Sequence, residues 1–183
     1  LYKEIRTLIS KKKISAYTIK RAVRFCMRSF HLADYLKKVR DGINDDVILY
    51  SYWNDVSVFA FSHIKREGDK ILSRAHRTDL YLRKEKNYYL PLKEISNIKT
   101  DMIVFISKEG KEYFENHYKT DAKKEVYYLG VKEQQPDEYI PKDNEISLIS
   151  FSYAVSVKRI DRIIEALEKI DSIKINWVHI GDG

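Results

Sequence analysis

EISLISFSYAVSVKRIDRIIEALEKIDSIKINWVHIGDG, residues 145–183, decides the reading of this chain. Ile146 to Ser152 reads as a buried strand. Ile160, Ile163, Ile164, Leu167 and Ile170 follow at steps of three and four, one face of a helix. Lys174 to Ile180 reads as a second strand, closed by Gly181-Asp182-Gly183. Two strands joined by one crossover helix form a βαβ unit and run parallel. The loop Tyr153 to Arg159 ends at the helix N-terminus, where free N–H groups and the helix dipole favour an anion, and Lys158 and Arg159 sit at that point. Two readings stay open: half of a site for a phosphorylated ligand, or an ordinary βαβ unit with a solvated basic loop.

Working outward, 183 residues suffice for one good domain or parts of two. Hydrophobic residues make up 44% of the chain, enough to build a core, while Gly and Pro are too scarce for a disordered or collagen-like protein. No apolar run approaches the roughly 18 residues of a membrane helix. The single Cys26 excludes an internal disulfide and suits a reducing compartment, and the five His residues have no ligand-like spacing, so no metal is expected. Residues 1–40 hold twelve Lys and Arg against two Asp and Glu, a local +10 within a total of +7, which leaves −3 for the remainder. Such a block suggests an acidic partner: phospholipid, nucleic acid or an anionic ligand.

Leu1 to Ser10 has helical spacing, broken by Lys11-Lys12-Lys13. Ser15 to Arg40 reads as a long amphipathic helix or helix pair burying Ile19, Ala22, Val23, Cys26, Phe30, Ala33 and Leu36. Lys20, Arg24 and Arg28 lie four apart on another face, with Arg21 beside them. That face fits an anionic membrane surface, or equally a packed helix with a solvated side. Then come a strand (Val47 to Trp53), a helix with Asn54 as N-cap and Val58, Phe59, Phe61 and Ile64 inside, and a strand (Lys70 to Ala75). An aromatic and basic loop (Tyr81 to Tyr89) and a short helix (Leu92 to Ile98) lead to a strand (Met102 to Ser107). Ser107 caps a helix (Lys108 to Tyr118), and a strand (Glu125 to Leu129) closes the series. This alternation implies an α/β fold with a Rossmann-like parallel sheet and helices on both faces. Residues 131–144 break the rhythm and hold two of the three prolines. They read as a linker between a domain over residues 1–130 and a second starting at Glu145. The chain starts at Leu1 in a helix-like pattern and stops at Gly183 just after a strand, so it reads as an internal stretch of a longer protein.

Parallel sheets bind ligands beyond the carboxyl ends of their strands. The residues there are Trp53 and Asn54; His76, Arg77 and Asp79; Ser107 and Lys108; Gly130; Ser152 to Arg159; and Gly181 to Gly183. His76 titrates near neutrality and could bond a sugar hydroxyl or stabilise developing charge; it could equally be a loop histidine without a special role. Dinucleotide, P-loop and hydrolase-elbow fingerprints are absent. No carboxylate pair stands at a strand end, and Cys26 falls on a buried helix face.

Ser-Val-Lys-Arg-Ile-Asp-Arg-Ile-Ile-Glu-Ala-Leu (156–167) with Trp-Val-His-Ile-Gly-Asp-Gly (177–183) resembles the start of the C-terminal domain of GT-B glycosyltransferases of family 4. Ser-Arg-Ala-His-Arg-Thr-Asp-Leu-Tyr (73–81) is similar to the N-domain segment whose histidine faces the donor sugar. Ile-Ser-Lys-Glu-Gly-Lys-Glu-Tyr (106–113) and Tyr-Tyr-Leu-Gly-Val (127–131) resemble the strand–helix and hinge that follow. The likeness is greatest to bacterial enzymes that build capsular or other surface polysaccharides. The resemblance implies two Rossmann-like domains of GT-B type and retaining transfer of a sugar from a nucleotide-diphosphate sugar to a hydroxyl of a saccharide or lipid-linked acceptor. It implies no cofactor or bound metal; the basic block at residues 11–40 suits attachment to the anionic cytoplasmic face of the cell membrane, and with no nucleic-acid-binding motif in the chain no nucleic acid is expected. His76 would be catalytic, Lys158, Arg159 and Ser152 would hold the donor diphosphate, and Gly181 and Gly183 the nucleotide. The chain departs from the family in carrying Tyr153 in place of a phosphate-binding arginine and Arg77 in place of a glycine. The acceptor loop and the Glu-x7-Glu segment would lie beyond its ends, so these residues alone are expected to be inactive. The other readings are a GT-B nucleotide-sugar epimerase and a non-catalytic basic module for nucleic acid or anionic membrane.

Overall fold

A computed structural model describes residues 2–10, 13–82, 89–132 and 144–183. The readings that fall on residues 11–12, within the loop at 83–88 and on most of the linker (133–143) lie outside the described residues. The chain divides into two compact units, Leu1–Gly130 and Val131–Gly183.

The first unit runs α1 (Tyr2–Ser10), α2 (Ala16–Asp41), β1 (Ile48–Ser51), α3 (Val56–Ile64), β2 (Lys70–Ala75), α4 (Arg77–Leu80), α5 (Lys93–Ser96), β3 (Met102–Phe105), α6 (Lys108–His117) and β4 (Lys123–Val126). The four strands form one all-parallel sheet in chain order, with Tyr50, Leu72, Met102 and Lys123 aligned across it. The unit is thus α/β with a Rossmann-like parallel sheet. The expectation of helices on both faces is corrected. Leu49 packs with Ala60 and Ile64 of α3, and Ala75, Ile103 and Phe105 pack with Phe114 of α6; the register puts all these strand residues on one face. Strands laid down in chain order step in one direction, and crossovers of a single hand then fall on one side of the sheet. On the opposite face Ile48 and Tyr50 are exposed.

Three local expectations also change. Ser15 caps α2 by accepting from the Thr18 amide, but the buried stripe is Thr18, Ala22, Cys26, Ser29 and Ala33, ending at Arg40. Val23 and Phe30 are exposed. Small residues let α2 lie close on α3, and the Ser29 hydroxyl donates to the Val56 carbonyl (3.0 Å). Asp55, not Asn54, caps α3, accepting from Ser57 N (3.2 Å), because Asn54 is buried and bonded elsewhere. The last strand of the unit starts two residues earlier than the apolar run suggests. Lys123 N donates to the Asp101 carbonyl (2.9 Å) and Tyr127 N to that of Phe105 (3.0 Å), which fixes the edge register and leaves Tyr127 to Leu129 exposed. Ser107 does cap α6, accepting from Gly110 N (3.1 Å).

The second unit contains β5 (Glu145–Phe151), a 3-10 turn (Ser156–Lys158), α7 (Ile160–Leu167) and β6 (Lys174–Ile180). The strands pair in parallel along their full length, Glu145 with Lys174 through Phe151 with Ile180. They are not the buried strands expected: Ile149 and Phe151 are 70% and 79% exposed. A single short helix can shield only one side of a two-stranded ribbon, and Ile175, Trp177 and His179 alternate as its half-buried residues.

Candidate functional site

At the carboxyl ends of β1 and β2, polar side chains replace the apolar core. Asn54 and Asn97, both fully buried, exchange side-chain hydrogen bonds of 2.8 and 3.1 Å. Asn54 also donates to Ser73 Oγ (2.8 Å), and Asn97 to the Lys93 carbonyl (2.8 Å). Asp79 of α4 spans the two strand ends. One carboxylate oxygen accepts from Asn54 N and the other from His76 N, each at 2.6 Å. Lys93 is buried and donates to the Asn54 carbonyl. Burial pushes its ammonium down to about 8, against the pull of Asp79 and Asp55.

His76 follows β2 directly and is 7% exposed. Its ring sits against Trp53 (4.3 Å between centroids) and Tyr52 (4.7 Å). Neither ring nitrogen has a hydrogen-bond partner among the described residues. Burial lowers its pKa; Asp79 opposes that and Arg74 adds to it. The imidazole is therefore neutral near pH 7, with one nitrogen able to donate and the other to accept.

Beside these strand ends, and bounded by α2, lies a cleft of about 640 Å³. Arg21, Arg24 and Arg28 line one side, Trp53 to Asp55 with Asp79 and Lys93 the other. The arginines share one helix face at spacings of three and four. Arg21 donates to the Tyr17 hydroxyl (3.1 Å), whereas Arg24 and Arg28 have no ion-pair partner among the described residues. The basic face legible in the sequence thus divides: these three overlook the cleft, and Lys20 does not. Lys93 and Asn97 went unrecognised, for a lysine and an asparagine in a short amphipathic stretch carry no signal of burial. Among the described residues no group of His, Cys, Asp and Glu could hold a metal.

In the second unit the residues singled out for the diphosphate gather at the carboxyl ends of β5 and β6. Lys158 ends the 3-10 turn and is exposed. Arg159, left-handed at φ 52°, is the N-cap of α7 and pairs with Asp161 (3.0 Å). Its charge is therefore partly matched locally. Ser152 N donates to the Ile180 carbonyl, and its hydroxyl to that of Tyr153 (3.2 Å). His179 bridges Ser150 Oγ (2.9 Å) and the Ser152 carbonyl (3.1 Å). Gly181 and Gly183 run so close to this loop that a Cβ would collide with the carbonyl oxygens of Ser152 and Ala154. Gly181 also has φ 152°, so its glycine is required by backbone as well as by space. The chain matches no family model and no curated protein sequence.

Proposed function

We propose that the chain is the catalytic framework of a retaining glycosyltransferase of GT-B type. It would take a sugar from a nucleotide-diphosphate sugar to a hydroxyl of a saccharide or lipid-linked acceptor, in surface polysaccharide or glycolipid synthesis. The observation that supports the reading is His76, a buried neutral imidazole at a strand's carboxyl end, neither of whose ring nitrogens is bonded among the described residues. The rings packed against it, Tyr52 and Trp53, are themselves 47% and 43% exposed. In the second unit Lys158 would neutralise the departing diphosphate together with the free N–H groups that open α7. The anomeric bond to the diphosphate breaks, the acceptor oxygen takes its place on the same face, and the acceptor proton passes to the departing diphosphate oxygen. No described helix is long and apolar enough to cross a membrane, and the reading places the chain at the cytoplasmic membrane surface through residues 11–40.

Thermal unfolding in the presence of uridine, guanosine, adenosine and thymidine diphosphates tests the donor half. A ligand at a hundred times its Kd stabilises the native state by about 2.7 kcal/mol, several degrees for a unit of this size. One nucleotide should raise the transition, and Lys158→Gln should abolish the rise. No shift with any of the four would refute the proposal.

A further inference from the structure

We propose that the cleft between α2 and the carboxyl ends of β1 and β2 binds a phosphate ester, held by Arg24, Arg28 and the buried Lys93, with Trp53 and Tyr17 as the platform for its organic part. The inference stands apart from the donor reading, because the cleft lies wholly within the first unit and binding there needs no nucleotide.

Three observations carry it. Arg24 and Arg28 reach the cleft from a helix whose packing on α3 fixes their position, and no described carboxylate pairs with them. Guanidinium forks match phosphate oxygens, and two on one face give several charge-assisted bonds. Lys93, 6% exposed, lines the same cleft and spends one N–H on the Asn54 carbonyl, and its other two donors have no acceptor among the described residues. The acidic groups of the cleft are already committed. Asp79 faces the amides of Asn54 and His76, and Asp55 the amide of Ser57. With the carboxylates turned to backbone donors, the open surface is cationic.

The same features define the ligand. Among the described residues no group of His, Cys, Asp and Glu there could hold a metal ion. A flat bilayer cannot enter a cleft, whereas a single phosphate group on a sugar can, and 640 Å³ accommodates a phosphorylated saccharide. Trp53 and Tyr17, both part-exposed, offer flat apolar surfaces to the ring of such a ligand. A soluble sugar phosphate and the headgroup of a lipid-linked saccharide both present this phosphate; the chemistry recognised is the same.

The test uses the whole chain and two double variants. Arg24→Gln with Arg28→Gln removes the cleft charges; Lys37→Gln with Lys38→Gln removes equal charge from exposed positions of α2 outside it. Calorimetric titrations with glucose 1-phosphate, inorganic pyrophosphate and glucose test the soluble source. Sedimentation with phosphatidylglycerol vesicles, with and without a polyprenyl diphosphate, tests the lipid source. We expect the phosphorylated ligands, or the diphosphate-bearing vesicles, to bind the parent protein and the lysine variant alike. The arginine variant should bind them at least about tenfold more weakly. Equal weakening in both variants, equal binding of glucose, or no binding of any soluble phosphate up to about 10 mM together with vesicle binding indifferent to the diphosphate would each overturn the proposal.

Discussion

Asp79→Ala tests whether one carboxylate sets the geometry of the strand ends. The two Asp79 oxygens accept from Asn54 N and His76 N at 2.6 Å, both bonds buried. A hydrogen bond to a charged group is worth about 1.5–3 kcal/mol net, and its loss leaves a buried N–H without an acceptor. Removing both bonds should therefore cost about 3–5 kcal/mol, a large share of the ~5–15 kcal/mol that holds a domain folded. Asp79→Asn keeps one acceptor but turns an NH2 toward the other amide, so its cost should be intermediate.

Urea unfolding read by tryptophan fluorescence measures this directly. Trp53 adjoins Asn54, while Trp177 lies in the second unit, so a Trp177→Phe background isolates the signal of the first. With a slope of ~1–3 kcal/mol/M, the midpoint for Asp79→Ala should fall by about 2 M. A fall equivalent to less than about 1 kcal/mol would mean that neighbouring groups or water replace the carboxylate, and the argument from these two bonds would fail.

Asn97→Ala should destabilise the first unit by about 2–4 kcal/mol in the same assay, since it strips partners from Asn54 and from the Lys93 carbonyl. Gly181→Ala should unfold the end of β6, seen as faster amide exchange at Ile180 and Ser152, because its Cβ meets the Ser152 carbonyl and its φ suits glycine. Stability should also depend on pH through His76 and His63, whose pKa values burial lowers. The unfolded chain then binds more protons, so stability is complete above the unfolded value of about 6.5 and declines as pH falls through it. Among the charged groups around His76, Asp79 resists this shift and Arg74 reinforces it. His76→Gln should flatten the decline between about pH 7.5 and pH 5, as urea midpoints would record; an unchanged slope would assign the titration elsewhere.

The elements were legible where one signal dominated. Apolar runs marked β1, β2 and β3, Ser15 and Ser107 stood at helix starts, and the spacing from Ile160 to Leu167 marked α7. Strand order was not legible, because periodicity reports which side of an element is apolar and not which strand lies beside it. Asn54 and Asp55 are both good caps, and the choice between them was made by partners far along the chain, Ser73 and Asn97. For the same reason His76 could be named from its place after a strand, while Lys93 could not. Its bond to the Asn54 carbonyl spans 39 residues, and its side chain reads as an exposed one until that contact exists.

The polar groups beneath the cleft differ in a way that bears on what the cleft can do. Both side-chain N–H groups of Asn54 and both of Asn97 have acceptors, and each side-chain carbonyl is bonded in return. A closed network of this kind is rigid, since any shift leaves a buried donor bare. A ligand entering from the side of α2 then meets a floor already ordered, and the entropy of binding falls mainly on Arg24 and Arg28, whose side chains are exposed. His76 and Arg74, next to the same strand ends, are the contrast, with buried nitrogens that no described group satisfies. Unsatisfied buried nitrogens cost stability and contribute nothing to folding. On the glycosyltransferase proposal, the two ring nitrogens of His76 are the ones that an incoming sugar hydroxyl would satisfy.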